Sequence, residues 1–519
     1  MDDLLFYFYT ALPFIGVLAL AALAVAAIGV GLVAPRLMVY PYLAIFFLIN
    51  STTYGNLAIV SYGGGIYSRG SGLLYFSLLL WYILGAWCCA RISASFKGLA
   101  SAPCNLRPWF FGWLALLLGH VVVAIFVGKK LSEALAPGGF SNIVWMAPLV
   151  SLMLLAFRTR EHAVELARFI MLAGLGRALF GLARWAIGGG DPNNIYANMN
   201  AIKIKLTFFD INDSLLCALA FSIAAVQLFQ VAKVARPRVW PVLEWMTLAA
   251  TPLCIVLSYR RTAWIGLVLA LLVVMWRFPL RRRLQLVALG LPLVAPALAY
   301  AALKRLSQTK GAGGGLGSLA YDMQSRRFGA ESERVVELKL ALADFLSNPL
   351  TGIGSWGRYT GHQRISWQAG PEGGQFIHSG VLHIGLKTGL IGLVLFAGTA
   401  WAFIHFSRRA LRALPPELLG LGTAGVAGLA FMLPDILVGT PFPQVRTSQM
   451  LAVCLSLPYL AMAATDAARV ARRGRHDHGF SGADAQSAAA EAEVAAAAAA
   501  QASAAAAAVS ASNWPAPAR

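Results

Sequence analysis

Three short stretches hold the side chains best suited to chemistry. "LSYRRTAWIGL" (257–267) sets Arg260 and Arg261 side by side at a turn between two apolar runs. Arg334 begins a helical pattern that leads into "NPLTGIG" (348–354), and His378 begins "HSGVLHIGLKTGLIGLVLF" (378–396). A guanidinium keeps its charge at any working pH and meets phosphate oxygens bidentately, whereas imidazole takes up or releases a proton near neutral pH. Phosphate binding and proton transfer are therefore the chemistries on offer. Each residue also has a plainer use. Arginine at a membrane edge snorkels to headgroups, Arg334 has Glu331, Glu333 and Glu337 near it for surface ion pairs, and a lone histidine commonly packs as a structural group.

From His378, steps of four, seven, eleven and fourteen residues reach Leu382, Gly385, Gly389 and Gly392. A continuous helix would put the histidine on one face with three glycines, free to press against a neighbour, and Lys387 about 180° away. Asp435, in "FMLPDILVG", stands near the end of an apolar run, where a carboxylate is a functional suspect or a structural group. Arg177 and Arg184 are seven residues apart on one helical face and suit a polar groove for a lipid headgroup. His120, His383 and His405 read as packing or interfacial residues and His362 as a loop residue. No metal or cofactor is expected. The stretch "STTYGNLAIVSYGGGIYSRGSG" (51–72) contains no acid for Mg²⁺ or Mn²⁺, and Asp210 and Asp213 in "FFDIND" suit the cap of the run that follows.

The elements that must position these residues are apolar. Of 519 residues, 58% are hydrophobic and 12% charged, with mean hydropathy +0.67, more apolar surface than one water-soluble core could use. About thirteen runs approach or reach the roughly 20 residues needed to cross about 30 Å of hydrocarbon. They lie near 10–33, 37–52, 71–90, 108–127, 141–157, 165–187, 211–232, 240–258, 262–277, 284–302, 380–404, 417–438 and 446–465. The formal charge of +20 could suggest a nucleic-acid partner, but its placement does not. Basic residues cluster in alternate connections, such as 91–107, 158–168, 233–238, 277–283, 408–412 and 469–475, so positive-inside orientation puts the N-terminus outside and the C-terminus inside. The start, "MDDLLF", carries acids rather than a basic signal region, so the first span is expected to be retained. The six cysteines show neither a disulfide framework nor zinc spacing.

The expected organisation is an all-α polytopic membrane protein of 12–13 spans with one large external loop. Residues 1–302 hold ten spans, 303–376 the loop, 377–466 the C-terminal spans, and 467–519 a basic, Ala/Ser-rich cytoplasmic tail. Within the loop, "ESERVVELKLALADFLSNPL" sets Val335, Leu338, Leu342 and Phe345 on one helical face, ending at Asn348-Pro349. The surrounding "KGAGGGLGS" and "GSWGRYTGHQRISWQAGPEGG" are Gly-rich enough to close over a ligand.

The ordered set of motifs resembles the O-antigen ligase and polymerase superfamily over roughly residues 240 to 405. The hairpin motif S-x-S-R-x-A reads Ser258-Tyr259-Arg260-Arg261-Thr262-Ala263. The helix motif runs from Arg334 to Ala341 and leads into Asn348 to Gly354. H-N-x-x-L reads His378 to Leu382, with Gly389-Leu390-Ile391-Gly392 eleven residues after the histidine. Departures are Arg260 for the second serine, Leu338 for an aromatic, Ser379 for asparagine and Lys387 at a commonly acidic position.

That resemblance implies a GT-C-like, metal-independent, inverting glycosyltransferase of the bacterial inner membrane with its site facing the periplasm. The implied donor is a saccharide on undecaprenyl diphosphate, and the implied acceptor is lipid A-core or another glycan. Arg261 and Arg334, with Arg260 as auxiliary, would hold the departing diphosphate, and His378 would take the acceptor's proton. A polymerase extending a carrier-linked glycan is the alternative. A flippase or transporter of a lipid-linked sugar, which should show internal repeats and interrupted helices at the bilayer midplane, is the rival from another class. A membrane anchor would not require the Arg, Arg and His trio.

Overall fold

The computed structural model describes residues 25–49, 67, 76–99, 102–191, 205–230, 237–306, 330–370 and 373–477. The first part of the expected first span, most of 51–72, the stretch "KGAGGGLGS" and the Ala/Ser-rich tail lie outside the described residues. The helices that frame the site are α1 (Arg36–Leu48), α2 (Leu78–Phe96), α3 (Arg107–Phe126), α4 (Met146–Ala156), α5 (Arg160–Ala186), α6 (Ile211–Phe229), α7 (Val239–Val256), α8 (Arg261–Trp276), α9 (Leu280–Leu306), α10 (Ala330–Ser347), α11 (Gly380–Ala413), α12 (Pro416–Val438) and α13 (Val445–Asp477).

Nine of these, α2, α3, α5, α6, α7, α9, α11, α12 and α13, are long and apolar enough to cross a membrane, and the protein is an all-α polytopic membrane protein. The shortfall from thirteen has physical causes. At 1.5 Å per residue, the 11 residues of α4 and the 16 of α8 rise about 17 and 24 Å, short of the hydrocarbon thickness. The helix Val25–Val33 and α1 bend by 115° where they meet at Ala34 and Pro35, so two expected spans become at most one.

The centre of the bundle is α6, almost wholly buried between α5, α7 and α12. Its Ala218, Ala220, Ala224 and Ala225 allow close approach on several sides, which is how helices associate where lipid offers no hydrophobic incentive. The Asp210 side chain caps α6, accepting from the Asn212 backbone N–H at 3.0 Å, as the sequence suggested.

Helix α11 is broken. Gly389 has φ 64° and ψ −157°, which interrupts the backbone ladder inside apolar sequence. The "NPLTGIG" stretch fills the gap. The Leu390 N–H donates to the Pro349 carbonyl at 2.7 Å, and the Ile353 N–H donates to the Leu386 carbonyl at 2.8 Å. A Cβ on Gly352 would stand 2.5 Å from the Leu386 oxygen, so this docking requires glycine there. The two glycine motifs are thus halves of one joint, satisfying backbone groups that lipid would leave unpaired.

The amphipathic pattern in α10 does not lie as expected. Glu337 and Ala341 are fully buried, whereas Leu342, Leu346 and Leu350 are exposed. The inward face packs on a small core of its own, Ala341, Tyr359, Ile365, Ile377 and Leu386. Tertiary packing of the loop against Glu337 outweighs the local apolar stripe. Residues Asp466–Arg519 form a second unit, whose described part, to Asp477, is helical.

Candidate active site

His378 does not belong to α11. The Ser379 hydroxyl caps that helix, accepting from the Leu382 N–H at 3.3 Å, so His378 stands just before the cap, in a bend. The expected shared face with Gly385, Gly389 and Gly392 is therefore corrected twice, by the cap before the helix and by the break at Gly389. What orients the imidazole is Glu337 of α10. Its Oε2 accepts from the His378 Nδ1 at 2.8 Å and from the His378 backbone N–H at 3.1 Å. Its Oε1 accepts from the Gln368 amide at 3.0 Å.

The glutamate is wholly buried and the imidazole 21% exposed, a fixed base beneath an accessible ring. With Nδ1–H donating to the carboxylate, Nε2 carries the lone pair, the tautomer that can accept a proton. Trp367 and Phe376 flank the ring edge-on, with centroids at 5.8 and 5.9 Å.

Gln368 is the hub of this arrangement. It also donates to the Phe376 carbonyl at 2.9 Å and accepts from the Gly374 N–H at 2.7 Å, while the His362 Nδ1 donates to the Gln368 carbonyl at 2.9 Å. Two further acids of α10 clamp the same loop. Glu333 accepts from the Ser366 N–H and hydroxyl, each at 2.8 Å, and Asp344 accepts from the Thr360 N–H at 2.6 Å. Burial and the Glu337 charge raise the Tyr359 hydroxyl above its ordinary range, keeping a neutral group beside the carboxylate. Half-buried Arg334 lies one turn before Glu337, on the same helix face.

The arginine pair arrives from another direction. Tyr259 takes φ 55°, a left-handed turn rare for a bulky residue, and so ends α7 and starts α8 within a few residues. Burial and Tyr300 push its hydroxyl up to about 12. Arg260 occupies the position just before α8, donates to the Phe209 carbonyl and lies 5.2 Å over the Phe209 ring; Arg261 is the first residue of α8. Gly266 of α8 packs directly on the Phe431 carbonyl of α12. One helical turn beyond Phe431 comes Asp435, which is within electrostatic reach of both Arg260 and His378. The next carbonyl, of Ile436, lies against Gly380 at the start of α11. The α8 hairpin, the end of α12 and the His378 segment thus meet at one end of the bundle.

Arg177 and Arg184 lie on α5. Both are buried. Arg177 donates to Asp213 at 3.0 Å and to the Leu48 carbonyl at 3.1 Å. Arg184 pairs with Asp191 at 3.3 Å and donates to the Thr207 carbonyl. They belong to a network whose keystone the sequence reading missed, Arg446. Its guanidinium donates to Asp210 at 2.7 Å, Asp213 at 2.9 Å and the carbonyls of Phe46 and Phe47, both at 2.9 Å. The signal for it was indirect: "FFDIND" places two acids at an apolar mouth, and burial there demands a cation.

His120 and His383 are buried, and His405 is exposed. His120 Nδ1 accepts from the Ser355 N–H at 3.0 Å, His383 Nε2 donates to the Gly139 carbonyl at 2.9 Å, and His405 stacks on Trp401 with centroids 6.3 Å apart. Lys387 is fully buried and donates to the Gly357 carbonyl. Among the described residues, no three His, Cys, Asp or Glu side chains gather as metal ligands.

No curated protein matches the chain. Residues 246–397, which run from the middle of α7 to the first turns of α11 past its break and include Arg260, Arg261, Arg334, Glu337 and His378, match the profile of the family described as O-antigen ligase. Over that segment the chain is similar to the O-antigen ligase family, which supports a place in that superfamily.

Proposed function

We propose that the protein is a glycosyltransferase that moves a saccharide from an undecaprenyl diphosphate carrier to a sugar hydroxyl at the periplasmic face of the inner membrane, with lipid A-core as acceptor. The observation that carries this reading is the His378–Glu337 pair, held at 2.8 Å one turn from Arg334 and within electrostatic reach of the Arg260 region through Asp435. The acceptor oxygen attacks the anomeric carbon opposite the diphosphate, its proton passes to His378 Nε2, and the carbon–oxygen bond to the diphosphate breaks with its electron pair leaving on phosphate. Configuration inverts, and no covalent enzyme intermediate forms.

Arg261 and Arg334, with Arg260 as auxiliary, stabilise the charge that develops on the leaving diphosphate. In a water-poor site such donors are worth more than in bulk solvent. A divalent ion has no part to play in that step, so transfer continues at full rate in EDTA; complete inhibition reversed by Mg²⁺ overturns the arginine clamp.

A polymerase would use the same donor and the same residues with a carrier-linked acceptor. Reconstitution with lipid A-core, a carrier-linked repeat and a protein offered separately decides between them. Glycosylation of lipid A-core alone is the expected result, and transfer only to the carrier-linked repeat replaces ligase by polymerase. Movement of the carrier-linked sugar across the bilayer with no new glycosidic bond supports the flippase reading instead.

A further inference from the structure

Along the side of the bundle, α2, α3 and α4 enclose a lateral groove of about 490 Å³. Its walls are apolar and aromatic, with Trp87, Phe110, Phe111, Leu114, Trp145 and Leu154 among them. Phe111 and Leu114 are exposed, so the groove opens sideways toward lipid. Trp87 is fixed by donating to the Ser151 hydroxyl at 2.9 Å, which ties α2 to α4 across the groove floor.

Its direction follows from hydrogen bonds. The α4 end at Trp145 is near the site end of the bundle: the adjacent Asn142 donates to the carbonyls of Phe442 and Pro443 at 3.0 Å, and Phe442 lies against Gly380. On α3, His120 accepts from Ser355 beside the "NPLTGIG" joint, while Arg107 lies 13 residues earlier, about 20 Å away along the axis.

The far end is basic. Arg91 and Arg107 line it, and Arg107 is held by donating to the Ala102 carbonyl at 2.9 Å. Arg158 follows three residues after Leu155, itself part of the groove lining, and donates to the Leu155 carbonyl at 3.2 Å. Burial and the neighbouring Arg91 charge lower the Arg158 pKa from its ordinary value, so like charges are kept together at this mouth. An apolar trough ending in guanidinium groups is complementary to an anionic phospholipid.

We propose that this groove is a binding site for an anionic phospholipid of the cytoplasmic leaflet, its acyl chain lying between α2, α3 and α4 and its phosphate held by Arg91 and Arg107. The site is separate from the transferase centre and does not depend on the reaction assigned to it. The lipid would tie these three helices together.

The test uses the full chain purified in detergent and offered phosphatidylglycerol or phosphatidylcholine, with retained lipid read by native mass spectrometry. The expected result is a preference of roughly tenfold for phosphatidylglycerol, lost in the Arg91→Glu/Arg107→Glu double variant. Ala147→Trp, which fills the trough and keeps both arginines, should also release the lipid. Equal retention of the two lipids by the unaltered protein overturns the proposal. So does phosphatidylglycerol retention that survives Ala147→Trp, because binding would then be surface charge alone. Melting temperature in the same detergent shows that each variant is folded, and a rise on adding phosphatidylglycerol is expected only for the unaltered protein.

Discussion

Two groups of charged side chains, built from the same residue types, are used in opposite ways. Under the site, Arg446 spends its donors on two carboxylates and two carbonyls and is completely buried. Asp213 receives both Arg446 and Arg177, at 2.9 and 3.0 Å. At the site, Glu337 is just as buried, but the group it holds, His378, keeps a face open. The lesson is that charge inside a membrane protein is read by what it already grips. A guanidinium closed on acids and carbonyls reads as architecture, and an ionisable ring held from behind with one side accessible is what the proposed proton transfer requires.

The largest effect expected is on the closed group. Arg446→Ala leaves Asp210 and Asp213 buried without their main cation, at a cost of about 3–5 kcal/mol. The measurement is yield and melting temperature in detergent, and both should collapse. A stable Arg446→Ala protein would erase the distinction drawn above. Next comes His378→Ala, which removes a partly exposed group that supports no helix. Transfer should fall by about 10²–10⁴-fold while melting temperature stays near that of the unaltered protein. Near-normal product from a correctly inserted variant removes His378 from the chemistry.

Glu337→Gln sharpens the comparison from the other side. The amide keeps the size of the carboxylate, so packing in the small core of Ala341 and Tyr359 survives, but it no longer offers two equivalent acceptor oxygens to His378 and Gln368. We expect kcat to fall about a hundredfold with KM little changed, since an imidazole misplaced by an ångström costs about that much. A loss of folded protein with kcat unchanged in the remainder would make Glu337 a structural residue like Asp213.

The sequence made the spans legible because apolar runs need no partner to be recognised, and nine of them stand where the runs were read. The cap at Asp210 and the end of α10 at Asn348 were also readable, since both are local. What stayed hidden was every contact set by distant chain. Glu337 and His378 are 41 residues apart, and Arg446 and Asp210 are 236 apart. The one visible trace of Glu337 is an acid set between Val336 and Leu338, against the expected polar side of the helix. The break in α11 was hidden for a different reason. Glycines at helical spacing look like a smooth packing face until a second segment supplies the missing hydrogen bonds, here from Pro349 and Ile353.

The smallest effect should come from exchanging one cation for another, and it separates the two groups most finely. Arg334→Lys keeps a positive charge one turn from Glu337, and a diphosphate accepts charge from many directions, so transfer should drop by about tenfold rather than vanish. Arg446→Lys keeps the same charge but offers three donors on a single nitrogen, where Arg446 now serves Phe46, Phe47, Asp210 and Asp213 from three nitrogens spread in a plane. That variant should melt well below the unaltered protein. If both lysine variants behave alike, folded and partly active, the arginines of this protein act as point charges wherever they are, and geometry does not distinguish scaffold from site. If Arg334→Lys is folded and slow while Arg446→Lys is unstable, the fork shape of the guanidinium matters where carbonyls must be satisfied, and charge alone carries part of the work where a leaving group passes through.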